Sequence, residues 1–209
     1  MLCLVPTPIG NLEDISSRSL KVLEESELIF CEDTRVTKKL LNLLGEKYNL
    51  DFSNKEYKSF HSHNENQILK TLDKDTFSKN VVYVSDAGMP CVSDPGATLV
   101  DFCIKNQIPY DVLPGANAIL TAYAMSGFTQ TTFSFYGFLD HKGASRASKL
   151  DEILNDDKLS ILYESPHRLL KLLEELNEKE PNRTIFLAKE ITKLHQTTYK
   201  NSASNLFEE

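Results

Sequence analysis

The stretch Ser85-Asp86-Ala87-Gly88-Met89-Pro90-Cys91-Val92-Ser93-Asp94-Pro95-Gly96 concentrates residues that could do chemistry. Asp86 and Asp94 supply acceptors, the prolines fix an irregular backbone path, and Gly88 lets a ligand approach the main chain. The plain structural alternative is a turn in which Asp94 caps the following helix. Two further segments have the same character: Pro6-Thr7-Pro8-Ile9-Gly10-Asn11 and Leu113-Pro114-Gly115-Ala116-Asn117. Neither GxGxxG nor GxxxxGK[ST] occurs, which disfavours a Rossmann dinucleotide site and a P-loop, and a GxSxG nucleophile elbow is also missing.

Other clusters are weaker taken singly. Glu32-Asp33-Thr34-Arg35 offers carboxylates, a hydroxyl and a guanidinium, or else acidic residues complementing a helix dipole. Glu164-Ser165-Pro166-His167-Arg168 sets an acid, an imidazole and a guanidinium within one turn, suited to proton abstraction or phosphate gripping. It equally reads as a Ser165 cap with Pro166 at the first helical position. Lys142, Arg146 and Lys149 form the best basic patch, with a solvated loop and helix face as the alternative. His61 and His63 would share one side of an extended segment, yet no third ligand has metal-site spacing, so no metal is expected.

These segments need a frame, and the apolar pattern supplies one. Leu2-Cys3-Leu4-Val5 and Leu28-Ile29-Phe30-Cys31 read as buried strands, followed by strands near Tyr57 to His61, Val81 to Ser85 and Tyr110 to Leu113. Helical patterns fall between them. Ser16 or Ser17 can cap the first, and Thr34 the second, which is expected to end at Gly45 as a left-handed residue. Helices near Asn64 to Asp73 and Ala97 to Asn106 complete the crossovers. Five strands joined this way imply a parallel α/β sheet whose carboxyl-end loops line the ligand crevice. A small-residue helix over Ala116 to Ser126 should end at Gly127. Beyond it come strands near Phe133, Ser160 to Tyr163 and Thr184 to Ala188, with helices over Arg146 to Leu154 and His167 to Leu176. The expected organisation is an α/β domain over 1–114 and a smaller α/β sheet domain over 115–209. The second is expected to be incomplete at its C-terminus, because Phe207-Glu208-Glu209 reads as the first turn of a helix.

Composition bounds the function. The 209 residues are 41% hydrophobic and 25% charged, near the globular average, which argues against disorder and fibrous classes. The net charge of −7 disfavours generic nucleic-acid coating, so affinity for a polyanion must come from a local patch. Cys3, Cys31, Cys91 and Cys103 form no CxxC pair and are expected as buried reduced thiols in a cytoplasmic protein. No run of about 18 apolar residues suggests a membrane span.

Taken in order, Val5 to Leu12, Cys31 to Arg35, His61 to Glu65, the Ser85 to Gly96 loop, Leu113-Pro114-Gly115, Tyr163 to Arg168 and Ala188-Lys189-Glu190-Ile191-Thr192-Lys193 closely resemble the ribosomal RNA small subunit methyltransferase I family. That family lies within the tetrapyrrole methylase superfamily, and the match spans nearly the whole chain. The resemblance implies two α/β domains with S-adenosylmethionine in the cleft between them. It also implies a homodimer, and 2′-O-methylation of a cytidine ribose in the decoding centre of 16S rRNA. Membrane and DNA are not expected partners. It implies that Pro8, Asp86, Ala87, Gly88, Ala116, Asn117, Tyr163 and Ala188 surround the cofactor. The displacement would be in-line, with positioning as the main source of rate and a general base adding about 10²–10⁴-fold. Glu164, His167, Asp33 and Lys189 are the candidate proton acceptors or orienters. Arg35 and Arg168, with Lys142, Arg146 and Lys149, are the candidate phosphate contacts. The acidic balance suggests that an assembled ribosomal surface is recognised by shape. Two alternatives stand beside this reading: a methyltransferase of a tetrapyrrole-type small molecule, and a truncated, non-catalytic cofactor-binding module.

Overall fold

A computed structural model describes residues 1–208. The chain divides into two compact units, Met1–Ala118 and Ile119–Glu209. In the first, β1 (Leu2–Leu4), β2 (Leu28–Cys31), β3 (Glu56–Ser59), β4 (Val81–Val84) and β5 (Tyr110–Val112) form one sheet in the order β3-β2-β4-β1-β5. All its pairings are parallel. Residues of β1, β2 and β4 are buried on both faces, as their continuous apolar runs require.

Alternate side chains build two cores. Cys3, Ile29, Cys31, Val82 and Val84 face one layer, where Leu23 of α1 (Ser17–Glu25) and Leu41 and Leu44 of α2 (Thr34–Tyr48) pack. Leu2, Leu4, Leu28, Phe30, Val81 and Tyr83 face the other. Leu99 and Cys103 of α4 (Ala97–Lys105) meet them there, with Ile68 and Leu69 of α3 (Glu65–Thr71). The strand order reverses between β4 and β1, so the loops after these two strands leave in opposite directions, the topology at which open α/β sheets take ligands at the carboxyl edge.

Local signals were shifted in four places. Ser16 caps α1 through a hydrogen bond from Ser19 N, but α2 is capped by Asp33 and not by Thr34. The helix α2 runs through Gly45 and stops at Asn49, which takes the left-handed conformation at φ +55. Gly45 is needed for another reason: a Cβ there would lie 2.9 Å from Leu50 O, where the chain turns back on the helix. His61 and His63 sit in a turn, not on an extended segment, because Asn64 Oδ1 accepts from His61 N and Asn64 Nδ2 donates to Ser59 O. The N-cap position of α4 is Gly96, so Asp94 is not that helix's cap.

The second unit begins within α5 (Ala118–Ser126), which ends before Gly127 at φ +63. It contains β6 (Phe133–Phe138) parallel to β7 (Leu159–Tyr163), and β8 (Thr184–Lys189) antiparallel to β9 (Thr197–Ser202). Helices α6 (Ala144–Leu154), α7 (Pro166–Lys179) and α8 (Ala203–Glu208) cover them, with Leu139, Leu150, Ile153, Leu172, Leu176 and Ala203 as the core. The strand β9 was not anticipated. The helix at the end starts at Ala203, ahead of the expected first turn at Phe207.

Candidate active site

The carboxyl edge of the first sheet draws its three Pro/Gly loops together. Thr7 and Gly88 exchange both backbone hydrogen bonds at 3.0 Å, which ties the β1 loop to the β4 loop across the crevice. Gly88 sits at φ +86, and a Cβ there would lie 3.1 Å from Ile9 Cγ2 and 3.6 Å from Ala116 O. A Cβ on Gly115 would lie 2.6 Å from Pro6 Cβ, so the β5 loop also meets the β1 loop at glycine distance. Pro8, Asp86, Ala87, Gly88, Ala116 and Asn117 are thereby gathered at one edge. Cys91 and Ser93 hold positive φ at +67 and +65, so the Asp86 to Gly96 loop is kept in a conformation costly for non-glycine residues.

A carboxylate cluster lies beside this crevice. Asp33 N donates to Asp86 Oδ1 at 3.1 Å, joining the β2 loop to the β4 loop. Burial raises the Asp86 carboxyl, partly offset by that hydrogen bond. Glu32 is also raised, by burial and then by the charge of Asp86. Asp94 is pushed furthest, to about 6, by burial, then by Glu32, against a hydrogen bond from Ser85, with Asp86 adding to the rise. Such a carboxylate takes and returns protons near neutrality. The raised proton affinity of Glu32 and Asp94 is not visible in the sequence, where nothing local reveals that β2 and β4 are neighbours.

Asp33 itself is a poor proton acceptor. Arg35 donates to it from its backbone N, Nε and Nη2 at 2.8, 3.1 and 2.6 Å, and these bonds hold the carboxyl far below the usual range. Arg35 is exposed, although this pairing already engages it.

In the second unit the structure corrects the basic patch. Arg146 is only 2% exposed and offers no surface to phosphate. Its Nε donates to both Glu175 oxygens at 3.0 and 2.9 Å, and its Nη1 donates to Asp140 O at 2.9 Å. Nη2 lies 2.7 Å from Glu175 Oε2, but off the angle for a hydrogen bond, so that contact is electrostatic. Glu164 is not a free base either. Its Oε1 accepts from Ser165 N and pairs with Arg168 Nη2 at 2.6 Å, and Oε2 faces Arg146 Nη1 at 3.6 Å. Arg168 also donates to Leu139 O at 2.9 Å and to Ser165 Oγ at 3.2 Å, so it too serves the fold before any phosphate. His167 is exposed in the first turn of α7, and Lys189 is exposed at the end of β8. Tyr163 closes β7, and Ala188 lies in β8 opposite Thr198. Lys142 is exposed, and Lys149 is engaged by Glu152 at 2.8 Å.

The profile of the tetrapyrrole (corrin/porphyrin) methylases matches residues 1–206. The chain belongs to this family. Among curated relatives, the ribosomal RNA small subunit methyltransferase I of Campylobacter fetus subsp. fetus is 50% identical over 207 residues, covering 99% of this chain and 76% of its own. The protein of the same name from Helicobacter pylori is 45% identical over 221 residues, covering 100% and 77%. Among solved structures, uroporphyrin-III C-methyltransferase of Thermus thermophilus, complexed with S-adenosylhomocysteine, superposes with a TM-score of 0.64 at 15% identity over 99% of this chain and 90% of that one. The methyltransferase CobJ does so at 0.66 and 19% identity, covering 97% and 86%. These last two establish the shared fold. No helix of the described residues is long and apolar enough to cross a membrane, and no cluster among them is arranged to hold a metal ion.

The raised Asp94 carboxyl has a measurable consequence for stability. Its pKa in the folded chain stands above the ordinary 3.8, so the folded state binds the proton more tightly and this contribution is complete below about pH 4. It is lost as pH rises through about 6. Asp94→Asn should therefore raise the melting temperature at pH 8 and leave it unchanged at pH 4. The gain should be about 1 kcal/mol once solvent screening of a half-buried group is allowed for. Equal shifts at both pH values in thermal melts would show that Asp94 carries no such penalty.

Proposed function

We propose that this chain is an S-adenosylmethionine-dependent methyltransferase of the small ribosomal subunit that modifies a cytidine ribose 2′-oxygen of 16S rRNA. The reading places it in the cytoplasm, as a homodimer with no membrane or DNA partner. The observation that carries it is the 50% identity, over 99% of this chain, with a relative that bears the small-subunit rRNA methyltransferase name. The fold alone would serve a tetrapyrrole equally well.

The residues of the first unit fit such a cofactor. A glycine cradle at Gly88, which a Cβ would fill, lies among Pro8, Ala116 and Asn117, and the Asp86 carboxylate supplies an acceptor for an ammonium or ribose hydroxyl. When bound, S-adenosylmethionine supplies an electrophilic methyl on a sulfonium. The chain's own residues would hold the ribose hydroxyl in line with that methyl and take up the hydroxyl proton as the oxygen is alkylated. Asp94, with Glu32 beside it, is the carboxylate matched to that proton. Asp33 and Glu164 act as anchors, for α2 and for the turn after β7.

The direct test follows labelled methyl from S-adenosylmethionine into unmodified small subunits, with naked rRNA and a tetrapyrrole in parallel. Label in a ribose 2′-oxygen of subunit RNA is expected. Label in the tetrapyrrole alone would replace the reading with the small-molecule one, and stronger labelling of naked rRNA would overturn recognition of the assembled surface. Asp86→Ala should weaken S-adenosylhomocysteine binding about tenfold in calorimetry, the loss of one charge-assisted hydrogen bond. Unchanged affinity would remove Asp86 from the cofactor.

A further inference from the structure

The end of β6 carries a constellation that the proposed chemistry does not use. Phe138 is 58% exposed, although the residue after it, Leu139, is 3% exposed in the core. Its position is built by the backbone: Gly137 takes φ +64, and the ladder with β7 shifts register between Phe135 and Phe138. Such an irregularity re-aims a side chain at the end of a strand. The Phe138 ring lies 5.4 Å from Tyr163, and the Arg168 guanidinium sits 5.9 Å from its centroid. Beside it opens a groove of about 350 Å³, lined among others by Tyr136, Phe138, Ser145 and Lys149. Lys149 Nζ stands 4.9 Å over the Tyr136 ring.

The wall of this groove is pre-organised. Arg168 donates to Leu139 O and Arg146 to Asp140 O, both at 2.9 Å, and the two guanidiniums share Glu164. The carboxylates of the groove are already engaged, Asp140 by Ser145 and Glu152 by Lys149. A largely exposed aromatic ring beside cationic side chains is the kind of surface on which an unpaired nucleobase stacks. A purely apolar partner would have to strip water from Lys149, Asp140 and Glu152 to use the same groove, at a cost an aromatic base with polar edges avoids.

We infer that Phe138 and the groove beside it form a stacking site for one unpaired base of the RNA substrate, with Lys149 beside the base and Lys142 available to its phosphate. This inference rests on the ribosomal RNA reading and adds the subsite that holds the strand. Alanine replacement of a stacking aromatic loses roughly 5- to 150-fold in affinity.

The experiment compares Phe138→Ala, Phe138→Trp and, as a surface control, Leu170→Ala on the exposed face of α7. Each is measured for KM on unmodified small subunits, for anisotropy with a fluorescent single-stranded RNA, and for S-adenosylhomocysteine affinity. The expected result is a KM and RNA Kd about tenfold higher in Phe138→Ala, restored by Phe138→Trp, with cofactor affinity unchanged and Leu170→Ala like the parent. If Phe138→Ala methylates and binds RNA as the parent does, the stacking site is overturned while the rRNA reading stands. Loss of cofactor affinity in Phe138→Ala, or no recovery in Phe138→Trp, would assign Phe138 to folding and also overturn it. A parent chain that neither labels nor binds RNA would overturn the rRNA reading and the subsite with it.

Discussion

Replacing Arg146 with alanine should cost about 3–5 kcal/mol of stability, the loss expected when one partner of a buried ion pair is removed and the other charges stay behind. Glu164, whose side chain is 6% exposed, would keep Arg168 but lose the cation facing its second oxygen, and Glu175 would lose a guanidinium that meets both of its oxygens. Asp140 O would lose its donor as well. The control is Arg146→Met with Glu175→Gln, which removes both charges of that pair together and leaves Glu164 to Arg168. It should recover part of the loss, because uncharged groups of similar volume carry a far smaller desolvation penalty. Urea unfolding followed by circular dichroism reads both. An Arg146→Ala chain as stable as the parent, but with weaker affinity for RNA, would return Arg146 to the surface patch where its sequence neighbours Lys142 and Lys149 suggested it belonged. At equal stability and equal RNA affinity, the buried pair would contribute nothing.

That contrast shows what the sequence could and could not carry. The strands β1, β2 and β4 were legible because they are short apolar runs bounded by turn residues, and the loops after β1, β4 and β5 because Pro and Gly punctuate locally. From these alone the parallel sheet and its functional edge follow. Arg146 was misplaced because its partners come from the turn after β7 and from α7, Glu175 standing 29 positions away along the chain. Charge spacing along one helix cannot see them. The end of α2 was misread for a similar reason. Gly45 looked like a stop, whereas the turn that follows needs a residue without a side chain inside the helix, and the stop falls to Asn49. The strand β9 escaped because Thr-Thr-Tyr-Lys-Asn-Ser has no apolar alternation, four of its six residues being exposed, and its place is set by pairing with β8. The carboxylates Glu32 and Asp94 acquire their proton affinity only from the meeting of two loops that are distant in sequence.

Gly115→Ala should lower methyl transfer about 100-fold while costing about 1–3 kcal/mol of stability, a substitution of one methyl at an exposed position. The new Cβ would stand 2.6 Å from Pro6 Cβ and 3.0 Å from Pro6 Cγ, and a proline ring has no rotamer into which to retreat. Leu113 N donates to Leu4 O at 3.0 Å, so the sheet holds the start of the β5 loop and the displacement passes onward to Ala116 and Asn117. Ala116 O lies 3.6 Å from where a Cβ on Gly88 would be, and Gly88 is tied to Thr7 by two backbone bonds, so one clash is felt by all three loops of the candidate cofactor site. A displacement of about 1 Å at such a site is enough for a loss of this size. The decisive measurement is a double-mutant cycle with Pro6→Gly, which removes the other half of the contact. If the clash is the cause, Pro6→Gly added to Gly115→Ala restores S-adenosylhomocysteine affinity towards that of Pro6→Gly alone, a coupling visible well above the additive expectation. If the two losses simply add, Gly115 matters for the freedom of its own backbone, and the convergence of the β1 and β5 loops is not what holds the site.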